Sequence, residues 1–346
     1  MIKVGVVGMG FMGRTHVAAY QAAASGTGTG QPLPCVLHAV CDPDASRLTG
    51  EASGGGGNLA TGAAERLFDP AKVKAFTDFD SLLASDVSLI SICTYTDSHV
   101  DYAIRAMRAG KHVLVEKPVA LHSRDVWKLC EAASTSKFLC VPAMCIRFWP
   151  GWDWLRAQVA LGAASQYGKV RSATFQRLGS GPTWGGGFYT DHSRSGGAVV
   201  DLHIHDTDFI AWCFGVPDAV SSVGDLMHIT TQYHYADGPS HVTAEGAWDL
   251  APGAGFRMRF LVNFEKATAE FDLAKSPVAM IHTAEGSTPM PVAAGTGYEA
   301  QVRALINAIA NNTTDGLPKV TEAFTVARIL EAEMESQRSR AKMALG

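Results

Sequence analysis

The chain opens on an apolar, β-branched run, Ile2-Lys3-Val4-Gly5-Val6-Val7, which passes without a linker into Gly8-Met9-Gly10-Phe11-Met12-Gly13 and then into a helical pattern over residues 11–23. A buried strand, a glycine-spaced tight turn and a helix in immediate succession leave few alternatives to a βαβ unit. In that setting Gly8 permits the turn, Gly10 lets the backbone approach a pyrophosphate, and Gly13 lets helix and strand pack closely. The helix start adds free N–H groups and a positive dipole end, so Gly8, Gly10, Phe11, Met12 and Gly13 are the expected dinucleotide contacts. A glycine turn with no ligand is the plain alternative.

The rhythm continues to about residue 143. Strand patterns at 36–41, 73–76, 88–93, 112–115 and 138–141 alternate with helical ones near 80–84, 98–109 and 124–134. Such alternation predicts a parallel sheet covered on both faces. Two Gly-rich insertions, at 25–34 and 54–57, are too poor in apolar residues to pack and read as surface loops. After Arg147-Phe148-Trp149-Pro150 the texture changes. A helix at 152–161, a strand at 170–177 and a helix from 199 to 214 precede a strand-rich stretch from 219 to about 281. Two helices, near 299–310 and 322–340, close the chain. The fold class expected is therefore α/β. An N-terminal Rossmann doubly wound parallel sheet (1–143) precedes a C-terminal α+β domain (144–346) with a large open, mostly antiparallel sheet. A C-terminal helix packing back on the first domain fits the same scheme.

Bulk properties exclude several functions. A net charge of −4 and the lack of any long Lys/Arg run leave no footprint for nucleic acid or an anionic membrane. Seven cysteines at irregular spacing include no C-x-x-C pair, which reads as free thiols in a reducing compartment. No apolar stretch of about 18 residues suggests a membrane span, and the N-terminal run is too short for a signal peptide. A cytoplasmic protein is expected.

Three further places carry chemistry. Asp42 ends the second strand, where a carboxylate accepts from the adenosine ribose hydroxyls and favours NAD. It lies 29 residues past Gly13, the 25–34 insertion accounting for the excess. A turn-forming Asp-Pro pair is the other reading, and Arg47 nearby could instead hold the 2′-phosphate of NADP. Glu116-Lys117-Pro118 follows a buried strand at its C-terminal end, where open parallel sheets bind ligands; a surface salt bridge is the alternative. Finally, Asp201 and His205 stand four apart on a helix predicted to start near residue 199, hence on one face. A carboxylate beside an imidazole orients the ring and raises its basicity, as a general base requires. Metal binding through His203, His205 and Asp206 competes, but on a helix a His-x-His pair splits the rings apart. No metal is expected.

Taken in order, the glycine motif, Thr94-Tyr95-Thr96-Asp97-Ser98-His99, Glu116-Lys117-Pro118, and Gly196-Gly197 with Asp201, His205 and Asp208 resemble the glucose–fructose oxidoreductase/inositol dehydrogenase (Gfo/Idh/MocA) family. The resemblance spans nearly the whole chain. It implies a Rossmann domain followed by an α+β domain whose open sheet builds a homo-oligomer, dimer or tetramer. It places Lys117 near the nicotinamide and the reacting hydroxyl, and makes His205, with Asp201, the acid/base. It puts Thr94, Tyr95, His99 and Glu116 at the cofactor and Arg147 near the active site. Tyr95 and Thr96 depart from the Pro and Asn common in the family, and His203 from a common glycine, where a larger side chain could re-aim the substrate pocket. The loop 179–194 adds Trp184 and His192 as expected sugar contacts, Trp184 by stacking on a sugar face or by anchoring the loop.

The reaction expected is hydride transfer between NAD, or NADP, and a secondary alcohol of a sugar, polyol or related cyclic substrate. His205 moves the hydroxyl proton and Lys117 stabilises the alkoxide. Two other readings stand beside it. One is a lyase or glycosidase acting through transient sugar oxidation with no net redox. The other is a non-catalytic dinucleotide-binding protein.

Overall fold

The structure, a computed structural model, describes residues 1–27, 30–51 and 66–345. The glycine run at 54–57 lies outside the described residues. The chain divides into two compact units: Met1–Phe148 with Trp184–Gly186 and Ala294–Phe324, and Trp149–Thr183 with Gly187–Ala293 and the stretch from Thr325 onward.

In the first unit β1 (Ile2–Val7), α1 (Phe11–Ser25), β2 (Cys35–Cys41), β3 (Lys74–Phe76), α2 (Phe79–Ala84) and β4 (Leu89–Ile92) follow in order. Next come α3 (Thr96–Arg108), β5 (His112–Val115), α4 (Ser123–Ser134) and β6 (Cys140–Pro142). The six strands lie in the order β3-β2-β1-β4-β5-β6, all parallel, so the order reverses between β1 and β4. That reversal is the switch point at which doubly wound sheets bind dinucleotides. Val4, Val6, Leu89 and Leu114 are fully buried, as strands covered on both faces require. On α1 the buried positions Gly13, His16, Val17, Tyr20 and Ala23 recur at three and four residues, the stripe of a helix with one face inward.

The second unit holds α5 (Trp152–Leu161), β7 (Val170–Leu178), the one-turn helix α6 (His192–Ser195), a π-helical turn (Val199–His203) and α7 (Ile204–Phe214). Seven strands come next: β8 (Ala219–Gly224), β9 (His228–His234), β10 (His241–Ala247), β11 (Arg257–Phe264), β12 (Thr268–Asp272), β13 (Ala279–Thr283) and β14 (Gly286–Pro289). The chain closes with α8 (Gly297–Asn311), α9 (Val320–Ser339) and β15 (Met343–Ala344). Of these, α8 belongs to the first unit, where its Val302, Leu305 and Ile306 join the core against α1.

Nine strands form the sheet β14-β13-β12-β11-β7-β10-β9-β8-β15. Only β7 and β10 pair in parallel; the other pairings are antiparallel. Alternation sorts its faces: on β11 Met258, Phe260, Val262 and Phe264 are buried while Arg257 and Leu261 are exposed. The buried face packs on Trp152, whose ring meets Phe209, Phe260, Phe175 and Phe271 at 4.9–6.0 Å between centroids. The fold class read from the sequence is thus the one formed. Among the described residues no helix is long and apolar enough to cross a membrane.

One element differs from expectation. The helix read as starting near residue 199 begins with a π turn, and regular α winding starts only at Ile204.

Candidate active site

The nucleotide half is built by the turn from β1 to α1. Gly8 has φ +85°, and a Cβ there would lie 2.5 Å from the carbonyl oxygen of Cys93. A Cβ on Gly13 would lie 1.8 Å from the carbonyl oxygen of Gly8, so this turn closes only with glycine at both places. At Gly10, by contrast, nothing stands within 4 Å of where a Cβ would be. Gly10 also caps α1 without any side-chain hydrogen bond to the helix start. An open, uncapped helix N-terminus of this shape fits a pyrophosphate.

Asp42 is 3% exposed at the end of β2. Its carboxylate accepts from the Met9 N–H at 2.7 Å and the Asp44 N–H at 2.9 Å, with Arg47 Nη1 at 3.5 Å. The carboxylate therefore also braces the glycine turn, a task its sequence position did not reveal.

At the end of β5, Glu116 turns its carboxylate inward. Oε1 lies 2.9 Å from His16 Nε2, and Oε2 accepts from the Lys117 N–H at 3.1 Å. Glu116, expected at the cofactor, thus directs its side chain to His16 and to the backbone that carries Lys117. His16 Nδ1 faces Ser91 Oγ at 2.8 Å and Cys93 Sγ at 3.5 Å, and Tyr20 reaches the same serine at 3.3 Å. Burial opposes charging of His16, but Cys93 and Glu116 outweigh it and raise its pKa to about 10.

His99 is also inward, 1% exposed. Its ring bridges two backbone carbonyls, Pro118 at 2.8 Å and Thr94 at 3.0 Å, tying the turn after β4 to the Lys117-Pro118 turn. Burial lowers its pKa, and a neutral ring donates to only one of the two. His99, also expected at the cofactor, thus directs its ring to the backbone of both turns. Thr94 Oγ1 lies 2.7 Å from Ser98 Oγ, while Tyr95, 42% exposed, donates its hydroxyl to the Gly185 carbonyl at 3.0 Å, beside Trp184.

In the second unit, residues 195–210 are buried throughout except at Asp201 and His205, which are half-buried. The two residues picked from their spacing are thus the two that reach a surface. His203, expected among the substrate contacts, is fully buried, and its Nε2 lies 3.1 Å from Glu333 Oε2 and 3.3 Å from the Tyr233 hydroxyl. That expectation is corrected: the ring faces the sheet and α9. Asp206 forms a buried two-bond pair with Arg177, both bonds 3.0 Å. His203 and Asp206 are thereby committed elsewhere, and among the described residues no group of three His, Cys, Asp or Glu could hold a metal ion.

Arg147 is buried and donates to Glu322 at 3.0 Å, and Trp184 and His192 are half-buried. The sequence reading missed His16, Ser91, Tyr20, Tyr233 and Glu333. One signal was available for His16, a histidine three residues past Gly13 on the buried stripe of α1; the other partners come from distant strands and helices and left none.

Comparison with known proteins agrees with this architecture. Residues 2–143 match the model described as "Oxidoreductase family, NAD-binding Rossmann fold", and residues 156–270 match the GFO/IDH/MocA C-terminal domain. The chain is similar to an uncharacterized oxidoreductase of Synechocystis sp., 26% identical over 43% of this chain and 40% of that protein, so this likeness spans under half the relative's length. It is 25% identical to a UDP-N-acetylglucosamine 3-dehydrogenase of Acidithiobacillus ferrooxidans over 96% of each chain. Among solved structures, levoglucosan dehydrogenase in complex with NADH and levoglucosan superposes with a TM-score of 0.81 at 19% identity, covering 100% of this chain and 99% of that one. The glycine turn, the Lys117 turn and the half-buried Asp201 and His205 occur in the two domains that these family models describe, and the chain belongs to the Gfo/Idh/MocA family of nicotinamide-dependent oxidoreductases.

Proposed function

We propose that the protein is an NAD-dependent dehydrogenase that oxidises a secondary hydroxyl of a sugar, polyol or related cyclic substrate. The observation that carries this reading is the selective exposure of Asp201 and His205 within an otherwise buried run. His205 accepts the hydroxyl proton, and Asp201 orients the ring and stabilises its charged form. Lys117, held at the end of β5 through its backbone N–H to Glu116, stabilises the developing alkoxide as a positive donor. The nicotinamide, when bound, supplies the hydride acceptor. Arg147, Trp184 and His192 are assigned to substrate recognition.

NAD is favoured over NADP because Asp42 places a carboxylate at the end of β2, where the 2′-substituent of the adenosine ribose is read. The exposed face of the nine-stranded sheet, with Leu261 at 46% exposure, is assigned to a homo-oligomer contact. The reaction is tested by incubating the protein with NAD and a panel that includes levoglucosan, myo-inositol and UDP-N-acetylglucosamine. Absorbance of reduced cofactor should rise with at least one member. Conversion of a panel sugar with no net cofactor reduction would favour transient oxidation instead.

A further inference from the structure

The run that carries Asp201 and His205 is pinned from within by three side chains. His203, the last residue of the π turn, contacts Glu333 of α9 at 3.1 Å and Tyr233 of β9 at 3.3 Å. Thr207 donates to Glu333 Oε1 at 3.2 Å and lies 3.1 Å from the Tyr233 hydroxyl. Asp206 is fixed by Arg177 of β7. Space for the imidazole comes from Gly246 on β10, where a Cβ would lie 2.7 Å from His203 Cβ and 2.9 Å from Nδ1.

As a stabilising device this cluster is poor. His203 and Glu333 are both 0% exposed, and His203 Nδ1 has no hydrogen-bond partner among the described residues. A buried polar pair with an unsatisfied nitrogen is often matched or bettered by packed apolar residues, and such local violations concentrate at functional sites. What the pair does hold is the winding. A π turn carries one residue more than an α turn, so rewinding it shifts every residue before it by about 100° around the axis. Asp201 lies inside the turn and moves with it, whereas His205 lies beyond it, so rewinding changes the placement of one relative to the other.

We infer that Glu333, acting through His203, is a positioning residue that holds the π turn and thereby the placement of Asp201 relative to His205. The inference rests on the catalytic reading above. It also explains why this chain tolerates a histidine at 203: the ring is an anchor for the turn, and Gly246 supplies its volume.

The test uses full-length protein labelled with 15N-histidine, the His205 ring signals being assigned by their loss in His205→Ala. At one fixed pH, Glu333→Ala should change the His205 ring 15N shifts, which report its tautomer and hydrogen bonding. The affinity for NAD should stay within a few fold. With whichever panel substrate is turned over, kcat should fall about 10- to 100-fold, as misplacement by about 1 Å produces. In an Asp201→Asn background the same change should cost little more, because Glu333 acts through Asp201. Tyr233→Phe keeps the ring and removes only the hydroxyl, so it should give the same spectral change at smaller amplitude if the alanine variant does not fold. Unchanged His205 signals in the variants that fold, or losses that multiply with Asp201→Asn, would overturn the inference. Wild-type turnover in His205→Ala would instead overturn the catalytic reading on which it rests.

Discussion

At the scale of single residues, the most informative side chain is Asp42, because it does two things at once. It is the residue proposed to read the adenosine ribose, and it accepts the Met9 N–H in the glycine turn. Replacing it with Ser removes a charge-assisted acceptor worth about 1.5–3 kcal/mol, so NAD affinity should fall roughly 10- to 100-fold. Discrimination against NADP should relax together with it, since the repulsion of a 2′-phosphate goes too. Parallel titrations of both dinucleotides measure this; tighter binding of NADP than of NAD by the unmodified protein would contradict the assignment. Asp42, Lys117, Asp201 and His205 could be chosen as candidates from the sequence because each sits at a fixed offset from a strand end or a helix start. His16 and Glu333 were not, because each acts through a partner brought close only by folding, 100 residues away in the case of Glu116 and 130 in that of His203.

At the scale of elements, α1, β4 and β5 are cross-linked by the cluster of His16, Ser91, Cys93 and Glu116 beneath the nucleotide turn. The folded-state pKa of His16, raised to about 10, exceeds its unfolded value of about 6.5. Its contribution to stability is therefore complete below about pH 6.5 and is lost progressively as pH rises through about 10. Thermal unfolding of the wild type should fall more steeply between pH 7 and 10 than that of His16→Gln, the difference between the two curves isolating this group. Parallel curves would remove the charged pair. Alternation of strand and helix patterns made the parallel sheet readable. The π turn at Val199–His203 left no such trace: apolar periodicity records which residues face inward, and one extra residue in a turn hardly alters that.

At the scale of the whole molecule, the chain divides into two compact units, with Lys117 in the first and Asp201 and His205 in the second. A C-terminal helix packing back on the first domain was expected from the sequence, and α8 joins the core of the first unit, although its apolar stripe alone does not say which core it joins. Two predictions belong here. Dialysis against a strong chelator should leave turnover unchanged, and activity lost and then restored by zinc or manganese would contradict the proton-transfer scheme. Leu261→Arg on the exposed sheet face should lower the mass measured by light scattering if that face joins copies of the chain. The most direct measurement is turnover of Lys117→Met, His205→Ala and their combination at saturating NAD. Each single change should lower kcat by about 10²–10⁴, the usual worth of a positioned proton-transfer group, with NAD affinity within a few fold. The combination should cost less than the product of the two, as for residues that act as one unit; wild-type turnover in both single variants would show that the chemistry lies elsewhere.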